Sequence, residues 1–87
     1  MTTIKDLLQA GYIQVGQEII WKSRAQGESH KASISVNGEI RTADGNLHRT
    51  PSGALKHLNG NKPVDGWLAW KLSATGESLS SIRAKAV

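Results

Sequence analysis

The run His48-Arg49-Thr50-Pro51-Ser52-Gly53 carries the residue types that a phosphate-binding corner needs. A hydroxyl residue followed by proline opens a helix, with Thr50 as N-cap and Pro51 at the first helical position. The amide hydrogens and positive dipole end of such a helix attract anions. His48 and Arg49 stand just before it, Ser52 offers a second hydroxyl, and Gly53 lets a backbone approach closely. Lys56 follows one turn below Ser52 and shares its face. The plain alternative is an ordinary capped helix with Arg49 solvated. Arg41, Lys62, Lys71 and Arg83 are further cations that would complete a basic surface, although each alone also fits simple solvation. Lys22, Arg24 and Lys31 flank a polar stretch and would form a loose electrostatic arm, with Glu18 and Glu28 nearby.

Trp67 and Trp70 are the other side chains suited to nucleic acid. On a strand their spacing sends them to opposite faces. Trp70, between Leu68 and Leu72, belongs to the core, as does Trp21. Trp67 shares its face with Ala69 and Lys71. Two positions are open to it: partly exposed, where an indole stacks on a base or lines a pocket for a methylated one, or packed under the helix that Pro51 begins.

Catalysis finds no support in the residue inventory. His30, His48 and His57 show no metal-ligand spacing with one another or with an acid. Neither a Gly-rich phosphate loop nor a nucleophile elbow nor an acidic metal pair is present, and turn chemistry accounts for Asp44. The chain has no cysteine, so thiolate metal sites are excluded. No cofactor or metal is therefore expected, and no enzyme activity.

Positioning these residues falls to one small domain. The chain has 87 residues, and a domain of this size buries only roughly 60–65% of the surface its unfolded chain exposes. No apolar run is long enough to span a bilayer, and polar residues interrupt the opening segment, so neither a membrane span nor a signal peptide is expected. A cytoplasmic location fits. The charge of +4, from 11 Lys and Arg against 7 Asp and Glu, has the sign that an anionic partner requires.

Ile4, Leu7 and Leu8 sit at helical spacing behind a Thr3 cap, with Gly11 as the stop; Tyr12 and Ile13 then fold back onto that helix. Residues 17–22 favour a strand with Ile19 and Trp21 on one face and Ile20 on the other. Residues 23–30 read as a mobile connection. Ala32, Ile34 and Val36 alternate with polar residues as a strand. Asn37-Gly38 follows as a type I′ hairpin turn, Glu39 to Thr42 return, and Asp44-Gly45 turns the chain into Asn46, Leu47 and His48. The helix capped by Thr50 buries Ala54, Leu55 and Leu58, ends at Gly60, and is blocked by Pro63. Gly66 introduces a strand through Leu72. After a turn at Thr75-Gly76, Leu79, Ile82 and Ala86 mark a C-terminal helix. Strands joined by tight turns with about three short helices around them make an α+β fold: an antiparallel meander in a single domain, residues 1–87.

The segments Asn37-Gly38-Glu39-Ile40, Asp44-Gly45, Thr50-Pro51-Ser52-Gly53-Ala54, Asp65-Gly66-Trp67-Leu68-Ala69-Trp70 and Leu79-Ser80-Ser81-Ile82-Arg83 occur in this order. With the opening Leu7-Leu8-Gln9-Ala10-Gly11-Tyr12-Ile13, they resemble the RAMA family, a module of restriction and modification systems. Thr50 stands where serine is typical and keeps the capping hydroxyl. Asp65 stands where asparagine is typical and adds a negative charge. The resemblance implies recognition of double-stranded DNA, modified DNA included, in the service of a larger effector protein. The residues expected at the DNA are Arg49, Ser52, Lys56, His48, Thr50, Arg41, Lys71 and Trp67. The competing reading is a protein-interaction adaptor that touches no nucleic acid.

Overall fold

Thr3 and Asp6 start the fold by capping each other. In the computed structural model, which describes residues 3–23, 27–60, 62 and 64–86, the Thr3 hydroxyl accepts from the Asp6 N–H at 3.2 Å and the Asp6 carboxylate accepts from the Thr3 N–H at 2.9 Å. Two of the donors left over at a helix start are thereby satisfied, and α1 runs Ile4–Gln9 with Ile4 and Leu7 buried. Ile13 folds back into the core as expected. Tyr12 stays at the surface, where its hydroxyl donates to the Lys85 carbonyl at 3.3 Å.

The strand expected from residue 17 is β1, Glu18–Ser23, with Ile19 and Trp21 buried and Ile20 half-buried on the other face. Its partner β2, Glu28–Ile34, begins earlier than its polar composition predicts. The register runs from Glu18↔Ser33 down to Ser23↔Glu28, so Glu28 to His30 are strand rather than connection. An extended template beside them meets the backbone hydrogen-bonding need that composition alone leaves open, and the His30 ring stacks on Trp21 with centroids 5.1 Å apart. Arg24, in the link between these strands, lies outside the described residues, as does Pro63 after the central helix.

Val36 does not extend β2. It is 73% exposed in the loop that leads to β3, Ile40–Thr42. The Ser35 N–H donates to the Glu39 carbonyl at 2.8 Å and the Gly38 N–H to the Ser35 carbonyl at 3.1 Å, leaving residues 36–38 as the loop in place of a two-residue type I′ turn. Gly38 closes it at φ 78°, a left-handed conformation that glycine adopts without penalty. A Cβ there would also sit 2.7 Å from the Lys5 backbone. The same hydrogen-bonding pattern recurs between Thr42 and Asn46 and delivers β4, Leu47–His48.

Helix α2, Pro51–Leu58, starts as expected: the Thr50 hydroxyl accepts from the Gly53 N–H at 3.0 Å, and Pro51, Ala54 and Leu55 are buried. Removing this cap by Thr50→Ala is expected to lower unfolding stability by about 1 kcal/mol, read as a shift of the urea midpoint at unchanged slope.

The segment from Gly66 corrects the sequence reading. Gly66–Ala69 is a helical turn, α3, and only Lys71–Leu72 form a strand, β5. The Asp65 carboxylate accepts from the Trp67 N–H at 3.0 Å and the Trp70 N–H donates to the Gly66 carbonyl at 3.0 Å. That side-chain cap turns the backbone before alternation can act. Leu68, expected inside, is 60% exposed.

Helix α4, Leu79–Lys85, ends the fold with Leu79 and Ile82 buried. The sheet is antiparallel with order β4-β3-β2-β1-β5. One cluster holds Ile19, Trp21, Ala32, Ile34, Ile40 and Leu72 from the sheet with Ile4, Ile13, Leu55, Trp70 and Leu79, so the helices cover one sheet face and leave the other to solvent. The architecture is a small α+β domain, and no helix among the described residues is long and apolar enough to cross a membrane.

Candidate nucleic-acid interface

At the head of α2 the side chains of Arg49, Thr50 and Lys56 are exposed, and His48, Ser52 and Gly53 are half-buried. Of the amides there, those of Gly53 and Ala54 are already engaged. Pro51 has none, the Gly53 N–H donates to the Thr50 hydroxyl, and the Ala54 N–H donates to the Thr50 carbonyl at 3.1 Å. The Ser52 hydroxyl accepts from the Gly66 N–H at 3.0 Å. Gly66 lies so close that a Cβ on it would come within 2.4 Å of the Ser52 nitrogen. A phosphate at this corner would therefore meet side chains, chiefly Arg49 and Lys56, in place of a nest of amides. Arg49 lines a shallow hollow together with Lys5 and Glu39.

The fold brings together a group that residue spacing hides. Asp44, in the β3–β4 loop, accepts from the Thr42 hydroxyl, from the Asn46 N–H at 3.1 Å and from the Asn46 amide at 3.1 Å. Its second oxygen lies 2.6 Å from His57 Nε2 on α2, and the His57 ring packs on His48 with centroids 4.8 Å apart. The Thr42 hydrogen bond first, then His57 and the Asn46 N–H, hold the Asp44 carboxyl well below the usual carboxylate range. Turn chemistry accounts for part of Asp44 and misses its bond to α2. One signal was present: His57 follows Ala54 by three residues, which aims it toward the sheet beside the buried stripe. Among the described residues no group of three or more His, Cys, Asp or Glu side chains could hold a metal.

Burial, then the neighbouring His57, lowers the pKa of His48 from its ordinary 6.5, with Asp44 opposing. The unfolded chain then binds a proton more readily than the folded one. The stability this histidine contributes is full above its unfolded value and is lost as pH falls through the lower folded value. Thermal midpoints are expected to drop on acidification from pH 7 toward 5, and His48→Gln is expected to flatten that slope.

Trp67 is half-buried on α3, with the Arg83 guanidinium 4.1 Å from its ring centroid. On a helical turn, Trp67 and Trp70 lie near one another instead of on opposite faces. Trp70 is fully buried, and its indole N–H donates to the Pro51 carbonyl at 3.1 Å. One face of Trp67 is thus taken by Arg83, a stacking a base would have to displace.

Arg41 and Lys71 lie elsewhere. Helix α2 packs on β3 and β4 over the side that holds Ile40 and His48, and Arg41 alternates with Ile40 to the opposite side. Lys71 pairs with Ile20, and Ile20 with Lys31, so all three share that uncovered face. Lys22 is next along β1 on the same face, beside Ser29. The eight expected contact residues therefore divide between two surfaces. His48, Arg49, Thr50, Ser52 and Lys56 gather at α2, with Trp67 on the same helical layer, while Arg41 and Lys71 join Lys22 and Lys31 on the open sheet. Among the described strand residues the acid on this face is Glu18, whose carboxylate accepts from the Ser73 hydroxyl at 2.9 Å and lies 4.0 Å from Lys31 Nζ.

The model of the RAMA family, described as Restriction Enzyme Adenine Methylase Associated, matches residues 1–87. The chain belongs to the RAMA family. A curated relative is the human Ankyrin repeat domain-containing protein 31, 36% identical over 78 residues, a match covering 87% of this chain and 4% of the relative. This RAMA domain thus spans a small part of the length of that relative. Three of its signature segments meet in one place: Gly66 against Pro51 and Ser52, Trp70 on the Pro51 carbonyl, the Leu79 N–H on the Trp70 carbonyl at 3.0 Å, and Arg83 over Trp67. These three segments, which help carry the family resemblance, hold α2, α3 and α4 together.

Proposed function

We propose that this RAMA domain is a non-catalytic module that binds double-stranded DNA, methylated duplexes included, on behalf of a restriction–modification effector. The observation that carries the reading is the open sheet face, where, among the described strand residues, Lys22, Lys31, Arg41 and Lys71 stand with one carboxylate, Glu18. Adjacent strands are about 4.8 Å apart, so Lys71 and Lys31, on either side of β1, stand roughly 10 Å apart at the backbone. Long flexible arms at that separation reach successive phosphates along one groove edge. Arg49 and Lys56 supply a second, weaker attraction on the helical side. The family description, with its restriction enzymes and adenine methylases, favours DNA as the polyanion.

Binding of this kind is electrostatic, with dissociation constants near ~10⁻⁴–10⁻⁶ M at physiological salt. The test is fluorescence anisotropy with a short duplex, unmodified and carrying methylated adenine, across a salt series. Lys31→Glu combined with Lys71→Glu is expected to weaken binding by about 10- to 100-fold at low salt and to reduce the log–log salt slope by roughly 2. Unchanged affinity and slope in that variant would remove the sheet from the interface, and no binding at low salt would overturn the DNA reading itself.

A further inference from the structure

We infer that the open sheet face is also a docking groove for an acidic protein segment with an apolar side chain at its centre. Phosphate attraction needs only the cations, yet this face has a floor as well. Ile20 is half-buried at the centre of a hollow of about 540 Å³, flanked across the strands by Lys31 and Lys71, with Lys22 further along β1 and Ala69 at its side. An aliphatic floor offers nothing to a phosphate. It offers little to a base, because stacking platforms for unpaired bases are aromatic, and none of the described strand residues on this face is aromatic.

A ring of ammonium groups around an aliphatic floor is complementary to an extended peptide with a Leu-sized residue flanked by carboxylates. In such a peptide, side chains at alternate positions share one face and lie about 6.8 Å apart. The apolar residue meets Ile20 while acids two residues away on each side come within reach of the flexible lysine arms. Glu18, tied to Ser73 and Lys31 at one end of the hollow, repels carboxylates there and biases the peptide charge toward Lys22. The lysine rim is shared with the DNA proposal, and the aliphatic floor under it is what distinguishes the two.

The experiment titrates the synthetic peptide Glu-Ser-Glu-Ser-Leu-Ser-Glu-Ser-Glu, and its version with Ser in place of Leu, into the whole chain, following amide shifts at low salt. The Leu peptide is expected to perturb Ile20 and its neighbours and to bind about tenfold more tightly than the Ser version, the worth of a partly buried apolar side chain. Ile20→Thr in the protein is expected to abolish that difference while changing duplex affinity less than twofold. Equal binding of the two peptides, or no binding by either, overturns the proposal. Peptide discrimination without duplex binding would overturn the DNA reading and leave this one standing.

Discussion

Replacing Trp70 with Ala is expected to lower the unfolding free energy by about 3–5 kcal/mol, a large share of what a domain this small has available. Trp70 is fully buried, meets Trp21 edge-on at 6.4 Å between centroids, and donates its indole N–H to the Pro51 carbonyl. Truncation removes the apolar contact, opens a cavity between the sheet and the helices, and takes the indole donor away from the Pro51 carbonyl. Trp70→Phe separates these contributions: it keeps most of the ring volume and loses the hydrogen bond, for an expected loss of about 1–3 kcal/mol. Urea unfolding followed by far-ultraviolet circular dichroism measures both. A loss below about 1 kcal/mol for Trp70→Ala would mean that the indole is not central to the helical layer.

Gly66→Ala is expected to destabilise by about 3 kcal/mol, an effect at the upper end for adding a single methyl group. Its Cβ would come within 2.2 Å of the Pro51 carbonyl carbon, 2.3 Å of its oxygen and 2.4 Å of the Ser52 nitrogen. All three are backbone atoms, so no side-chain rotation relieves the clash, and α3 must move away from α2. The bond from the Gly66 N–H to the Ser52 hydroxyl would stretch with it. Chemical shifts of Pro51, Ser52 and Trp70 report the displacement, and denaturant midpoints report its cost. An unshifted spectrum with unchanged stability would show that the two backbones do not approach in this way.

Both positions belong to the segments by which the family is recognised, and both act through packing. A family signature can therefore mark a structural knot without marking the contact surface. That distinction separates the DNA proposal from the signature: the cations that support it lie on the far side of the sheet, where the expected contacts Arg41 and Lys71 stand with Lys22 and Lys31, which spacing alone assigns only to a loose arm.

How legible the protein was follows the range of each interaction. The caps at Thr3 and Thr50, the alternation of Ala32 with Ile34, the hairpins at Gly38 and Gly45 and the stripe of Ala54 and Leu55 rest on partners within about four residues, so composition and spacing revealed them. Residues 66–69 satisfy strand alternation and helical spacing equally, and docking against Pro51, with the Asp65 cap, selects the helix. Asp44, His48 and His57 become neighbours only when α2 lies over β3 and β4. The same covering choice sends Arg41 and Lys71 away from Arg49 and Lys56. Alternation determines that Ile40 and Arg41 face opposite ways, but which of those faces the helices bury is a cooperative outcome of the whole core, and no local pattern encodes it.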